Sequence, residues 1–98
     1  MTTEVFLTEG TIEIWAYFKR LGSYFSPDQG VDLTLIDPAG TTQVNAQSMT
    51  EDETGKFKYY YTPASDAELG WWRYSSLGQH GTGIGAKYGK GLGGFELK

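Results

Sequence analysis

Residues 11–19 alternate without a break. Ile12, Ile14, Ala16 and Phe18 form one series, and Thr11, Glu13, Trp15, Tyr17 and Lys19 form the other. A period of two in β-branched and aromatic residues specifies a strand with one apolar face. The same period returns over residues 56–62, where Phe57, Tyr59 and Tyr61 alternate with Lys56, Lys58 and Tyr60. It returns again over residues 71–75, with Trp72 and Tyr74 set against Trp71, Arg73 and Ser75. Val31, Leu33 and Leu35 make a further inward series against Asp32, Thr34 and Ile36. No segment of about ten residues carries a helical period, so the sequence predicts an all-β chain.

The connections support this reading. Asp37-Pro38-Ala39-Gly40 is a turn: aspartate accepts from the backbone, proline presets φ and glycine exits freely. A first short strand, with Val5 and Leu7 opposed to Phe6, ends at a break at Glu9-Gly10. Residues 41–46 return as a strand with Val44 and Ala46 inward. Residues 47–55 are polar and acidic, with Met49 placed to plug the core. Residues 63–69 read as a single helical turn, capped by Ser65 or Asp66 and ended by Gly70. Residues 20–30 form a loop that carries Tyr24 and Phe25. Residues 79–94 are glycine-rich and read as a flexible hairpin, or an arm that orders against a neighbour; Phe95 and Leu97 then close the fold. About seven strands at such spacing specify one domain over residues 1–98, an antiparallel two-sheet sandwich.

The chain has 98 residues and no cysteine, so its core rests on packing without a disulfide, and its 15 aromatic residues supply the buried area. The N-terminal residues lack the basic and apolar regions of a signal peptide, which predicts cytoplasmic synthesis. No apolar run approaches the length of a membrane span. Residues 1–55 carry nine acids and two bases, and residues 56–98 carry three acids and six bases. Either a β-fold interleaves these halves, or they make acidic and basic ends that favour head-to-tail association. The net charge of −4 argues against nucleic acid as a partner.

Read together, VDLTLIDPAGT, EDETGKFKYYYTP, ELGWWRY and GGFELK form a pattern. It resembles that of small immunoglobulin-like domains of bacterial, archaeal and phage proteins. The resemblance covers residues 5–98 and rests on turns and core positions. It implies an immunoglobulin-like sandwich, found as a module of surface proteins or as a free-standing protein of phage and prophage gene sets. The function it implies is non-enzymatic: a structural, assembly or attachment protein such as a virion accessory protein, with protein partners or further copies of itself. The alternative is a carbohydrate-binding or adhesion module.

Motifs for chemistry fail on context. Residues 81–86 match G-x-G-x-x-A, but the glycine-rich segment that follows cannot open a helix to hold a phosphate. Glu51, Asp52 and Glu53 sit in a polar stretch without calcium-loop spacing, and His80 is the sole histidine. No catalytic, metal or cofactor residues are expected. The functional candidates are aromatic. Trp15, Tyr17, Tyr60 and Trp71 face outward by alternation, and Tyr24 and Phe25 lie in the loop. Pairing of the strands at 11–19 and 56–62 would put Trp15, Tyr17 and Tyr60 on one face as a partner surface or sugar platform. Against this, the stems of Lys19, Lys58 and Glu13 could cover them.

Overall fold

The computed structural model describes residues 2–8 and 10–98, except for the side chains of residues 6–8. The break expected at Glu9 and the facing of Phe6 and Leu7 lie outside the described residues. Ten strands form among those described: β1 (Thr2–Thr8), β2 (Thr11–Tyr17), β3 (Lys19–Arg20), β4 (Ser23–Tyr24), β5 (Val31–Ile36), β6 (Thr42–Ser48), β7 (Thr50–Glu53), β8 (Lys56–Tyr61), β9 (Gly70–His80) and β10 (Lys87–Leu97). The first sheet runs β1-β2-β8-β7, the second β10-β9-β5-β6, and β3 and β4 form a small ribbon. Every pairing is antiparallel.

The alternating series set the layers. Ile12, Ile14, Ala16 and Phe57 of the first sheet meet Val31, Leu33, Leu35, Val44, Trp72, Tyr74 and Phe95 of the second in one core. Met49 joins them, and Tyr59, Tyr61 and Leu97 pack at the margin. Phe18 is buried just beyond β2. Its N–H donates to Gly55 O at 2.7 Å, and its carbonyl accepts from Phe25 N at 2.9 Å.

The three strands beyond the expected seven come from connections. β3 and β4 pair within the loop at 20–30, across a turn in which Leu21 and Gly22 both have positive φ. β7 forms in the acidic stretch and pairs with β8. The glycine-rich segment also pairs: β10 is in register with β9 from Lys87↔His80 to Leu97↔Gly70. A period of two is present there but lacks apolar letters, because inward positions 89, 91 and 93 are glycines. The Phe18 ring, from across the core, fills the space at Gly89, and the hydroxyl of Tyr74 on the neighbouring strand β9 fills it at Gly93.

Two further expectations are corrected. Residues 63–69 form no helix; Ala67 N donates to Ala64 O at 3.0 Å in a single turn, and Gly70 begins β9. Ala46 does not face the core: it is exposed with φ 47°, beside a register shift between Leu33 and Leu35. The bulge turns the edge strand β6 after Val44, so only Val44 of that pair is buried.

Candidate functional site

The two sheets present two different outer faces. On the first, cross-strand register lines up rows. Tyr17 lies between Thr2 and Lys56, Trp15 between Glu4 and Lys58, and Glu13 between Phe6 and Tyr60. Trp15 and Tyr17 stack with centroids 6.2 Å apart and planes within 10°, and Tyr24 of the ribbon reaches Tyr17 at 6.4 Å. Lysines lie over these rings: Lys58 Nζ is 5.9 Å from the Trp15 centroid and 5.6 Å from that of Tyr60, while Lys19 and Lys56 are 4.7 and 4.8 Å from that of Tyr24. The Trp15 indole donates to Glu13. Trp15, Tyr17, Tyr24 and Tyr60 therefore form one array, in which Trp15 and Tyr17 are partly buried and Lys58 lies over Trp15.

Carboxylates hold two of those lysines. Lys58 Nζ is 2.9 Å from Asp52 and Lys56 Nζ is 3.1 Å from Glu53. Acids of the first half of the chain thus pair with bases of the second, so the two halves interleave across this face. Hydrogen bonding to Asp52 raises the pKa of Lys58, and hydrogen bonding to Glu53 raises that of Lys56. Two aspartates shift the other way. The Gly81 N–H lowers the pKa of Asp28, and the Gln43 amide, with Thr41 N–H, lowers that of Asp37.

The sign of each linkage follows from these directions. A raised lysine pKa contributes stability that is present below the unfolded value and lost as pH rises through the folded one. A lowered aspartate pKa contributes stability that is present above the unfolded value and lost as pH falls through the folded one. Urea midpoints should therefore be level between about pH 5 and 9 and fall on both sides, given unfolded values of about 3.9 for aspartate and 10.4 for lysine. Asp37→Asn should flatten the acid shoulder. An acid limb unchanged in that variant would rule out Asp37 as a contributor.

The second outer face carries large apolar side chains among charged and polar ones. β9 directs Trp71, Arg73, Ser75 and Leu77 outward, opposite Glu96, Gly94, Leu92 and Lys90 of β10. Trp71 is 58 % exposed, Leu77 47 %, Tyr88 62 % and Leu92 70 %. Leu77 lies diagonal to both Tyr88 and Leu92 in this register. The Trp71 indole covers Gly94, where a β-carbon would lie 2.6 Å from Trp71 Cζ2. Tyr88, Leu77 and Leu92 are thus diagonal neighbours, and Trp71 lies over Gly94, two residues beyond Leu92. A shallow cleft of about 350 Å³ beside them is lined by Ile36, Arg73, Ser75, Lys90 and Leu92.

Of the six aromatics singled out from sequence, four share the first face and Trp71 lies on the second. Phe25 turns inward, with its ring 6.0 Å from Phe18 and edge-on to His80 at 4.7 Å. Leu77, Tyr88 and Leu92 were not foreseen. Leu77 continues the outward series 71, 73, 75, and that was the available signal. Among the described residues there is no group of three or more His, Cys, Asp or Glu placed to hold a metal ion. None of them forms a helix long and apolar enough to cross a membrane. Comparison of the chain with protein-family models, curated proteins and solved structures finds no match.

Proposed function

We propose that the chain is a non-enzymatic immunoglobulin-like assembly module that associates with further copies of itself through the outer face of β10-β9-β5-β6. The observation that carries this is the set of Trp71, Leu77, Tyr88 and Leu92, large side chains left open on one face of a 98-residue protein. Strands of eleven, eleven, six and seven residues, at about 4.8 Å spacing and about 3.3 Å per residue, give a face of roughly 550 Å². That is below the roughly 800 Å² per partner of a standard interface and suits a weak, reversible association. Lys90 and Arg73 share this face with Glu96 and Asp32, so a second copy can meet cations with carboxylates at the rim. The immunoglobulin-like part of the reading is supported by the strand orders β1-β2-β8-β7 and β10-β9-β5-β6 around one core. The setting in a phage or prophage virion rests on the sequence resemblance.

Sugar stacking on the first face is the weaker reading, because lysine ammoniums already lie over the Trp15, Tyr24 and Tyr60 rings. Sedimentation equilibrium from micromolar to about millimolar protein tests the proposal. Wild type should show reversible association. Leu92→Glu should weaken it at least tenfold at unchanged thermal stability, and Tyr60→Glu on the opposite face should leave it intact. A monomer throughout, or equal loss from both variants, overturns it.

A further inference from the structure

At the end of the sandwich where β2 gives way to the β3–β4 ribbon, a cleft of about 270 Å³ opens. Phe18 and Phe25 form its apolar floor, and Lys19, Arg20, His80 and Lys87 line it. These residues come from the ribbon and from both ends of the β9–β10 turn, so only the folded chain brings them together. The floor is built into the fold. A β-carbon on Gly89 would lie 2.5 Å from Phe18 Cε2, so glycine there seats the ring against β10.

Charge sets this cleft apart. The protein carries a net −4, yet no carboxylate among the described residues lines it. Among the described residues, neither Lys19, Arg20 nor Lys87 has a carboxylate within ion-pair distance. The nearby acid, Asp28, accepts from Gly81 N at 2.8 Å and lies 3.6 Å from His80 Nδ1. His80 Nδ1 accepts from Asp28 N at 3.1 Å, which places the proton of the neutral ring on Nε2. Arg20 lies over the Phe25 ring at 5.5 Å, an arrangement that leaves its N–H edge free for a second partner. Unpaired cations around a preformed apolar floor match one ligand chemistry.

We propose that this cleft binds an organic anion, an acidic group carried on a single aromatic ring, with the ring against the part of the Phe18 and Phe25 floor that Arg20 leaves open to the cleft and the acid between Arg20 and Lys87. Its volume is just under the roughly 300–1,000 Å³ of ordinary ligand pockets, which suits one ring and its substituent. The site is independent of the association face.

Amide NMR titration in low salt tests it with three probes: phenylacetate, phenyl phosphate and neutral 2-phenylethanol. At least one anion should shift residues 18–20, 25, 80 and 87 in a saturable way, with the alcohol at least tenfold weaker. The tighter of the two anions assigns the acid as carboxylate or phosphate. Added salt should weaken binding, and Arg20→Gln with Lys87→Gln should reduce it at least tenfold. Both side chains are exposed, so the amide spectrum of the double variant should remain that of a folded chain. Equal binding of the alcohol, undiminished binding by the double variant, or no localised shift with either anion overturns the proposal.

Discussion

Gly55→Ala should unfold much of this protein's stability, by about 3–5 kcal/mol, although it adds a single methyl group. Gly55 has φ +74°, and its β-carbon would lie 2.6 Å from Phe18 O, 2.8 Å from Phe25 N and 3.1 Å from Phe25 O. All three are main-chain atoms, so no side chain can swing aside. Gly55 O also accepts from Phe18 N at 2.7 Å, and Phe25 N donates to Phe18 O at 2.9 Å. The methyl group must therefore spread two main-chain hydrogen bonds at a buried junction. A left-handed alanine costs about 1–2 kcal/mol, and each disrupted buried bond about 1–3. Gly83→Ala is the control: its φ is +68°, but nothing lies within 4 Å of the added carbon. It should lose only the conformational part, about 1 kcal/mol. The melting temperature should drop by roughly 4–8 °C for each kcal/mol in a domain of this size. Equal losses from the two variants would show that the close approach at Gly55 carries no energy. Because Phe18 and Phe25 floor the basic cleft, any folded Gly55→Ala protein should also lose anion binding there.

How far the sequence could be read depended on where side chains carry the signal. β2, β5 and β8 were legible because apolar and polar letters alternate along them, and their inward members are the core. Met49 was legible as the one large apolar residue in an acidic stretch, and it is buried. Only the closing end of β10, with Phe95 and Leu97, was legible, and the part before it reads as a flexible hairpin or arm for the opposite reason. Its inward positions before Phe95 are glycines, and the volume beneath them comes from other segments: Phe18, far away in sequence, at Gly89, and Tyr74 of the paired strand β9 at Gly93. With that part unread, its outward Tyr88 and Leu92 could not be assigned to a face, and Trp71 had no visible neighbours. The array of Trp15, Tyr17 and Tyr60 was accessible because it needs only one pairing, β2 with β8. The turn inward of Phe25 was not, since it depends on the hydrogen bond from Phe25 N to Phe18 O. The basic cleft joins Arg20 to Lys87 across most of the chain, and no local pattern announces it.

Trp72→Ala should be the most damaging single core change, at about 3–5 kcal/mol. Trp72 is 1 % exposed on β9 of the second sheet. Its ring stacks on Phe95 of the same sheet at 5.8 Å and 17°, and meets Tyr61 of the first sheet at 6.0 Å. It therefore ties the layers together in a chain that has no cysteine to do so. Its Nε1–H donates to Glu68 O at 2.8 Å, which fixes the connection leading into β9. Trp72→Phe separates the two roles. Phenylalanine keeps a ring against Phe95 and Tyr61 but cannot donate to Glu68. It should lose about 1–3 kcal/mol, from the smaller volume and the missing hydrogen bond. Tryptophan emission gives an independent readout. Trp72 is buried, whereas Trp15 is partly and Trp71 largely exposed, so removing Trp72 should shift the native spectrum to longer wavelength. Denaturant unfolding of both variants would decide the matter. A loss below about 1 kcal/mol for the alanine variant would mean that Phe95 and Tyr61 close the gap themselves, and that the sheets are joined elsewhere.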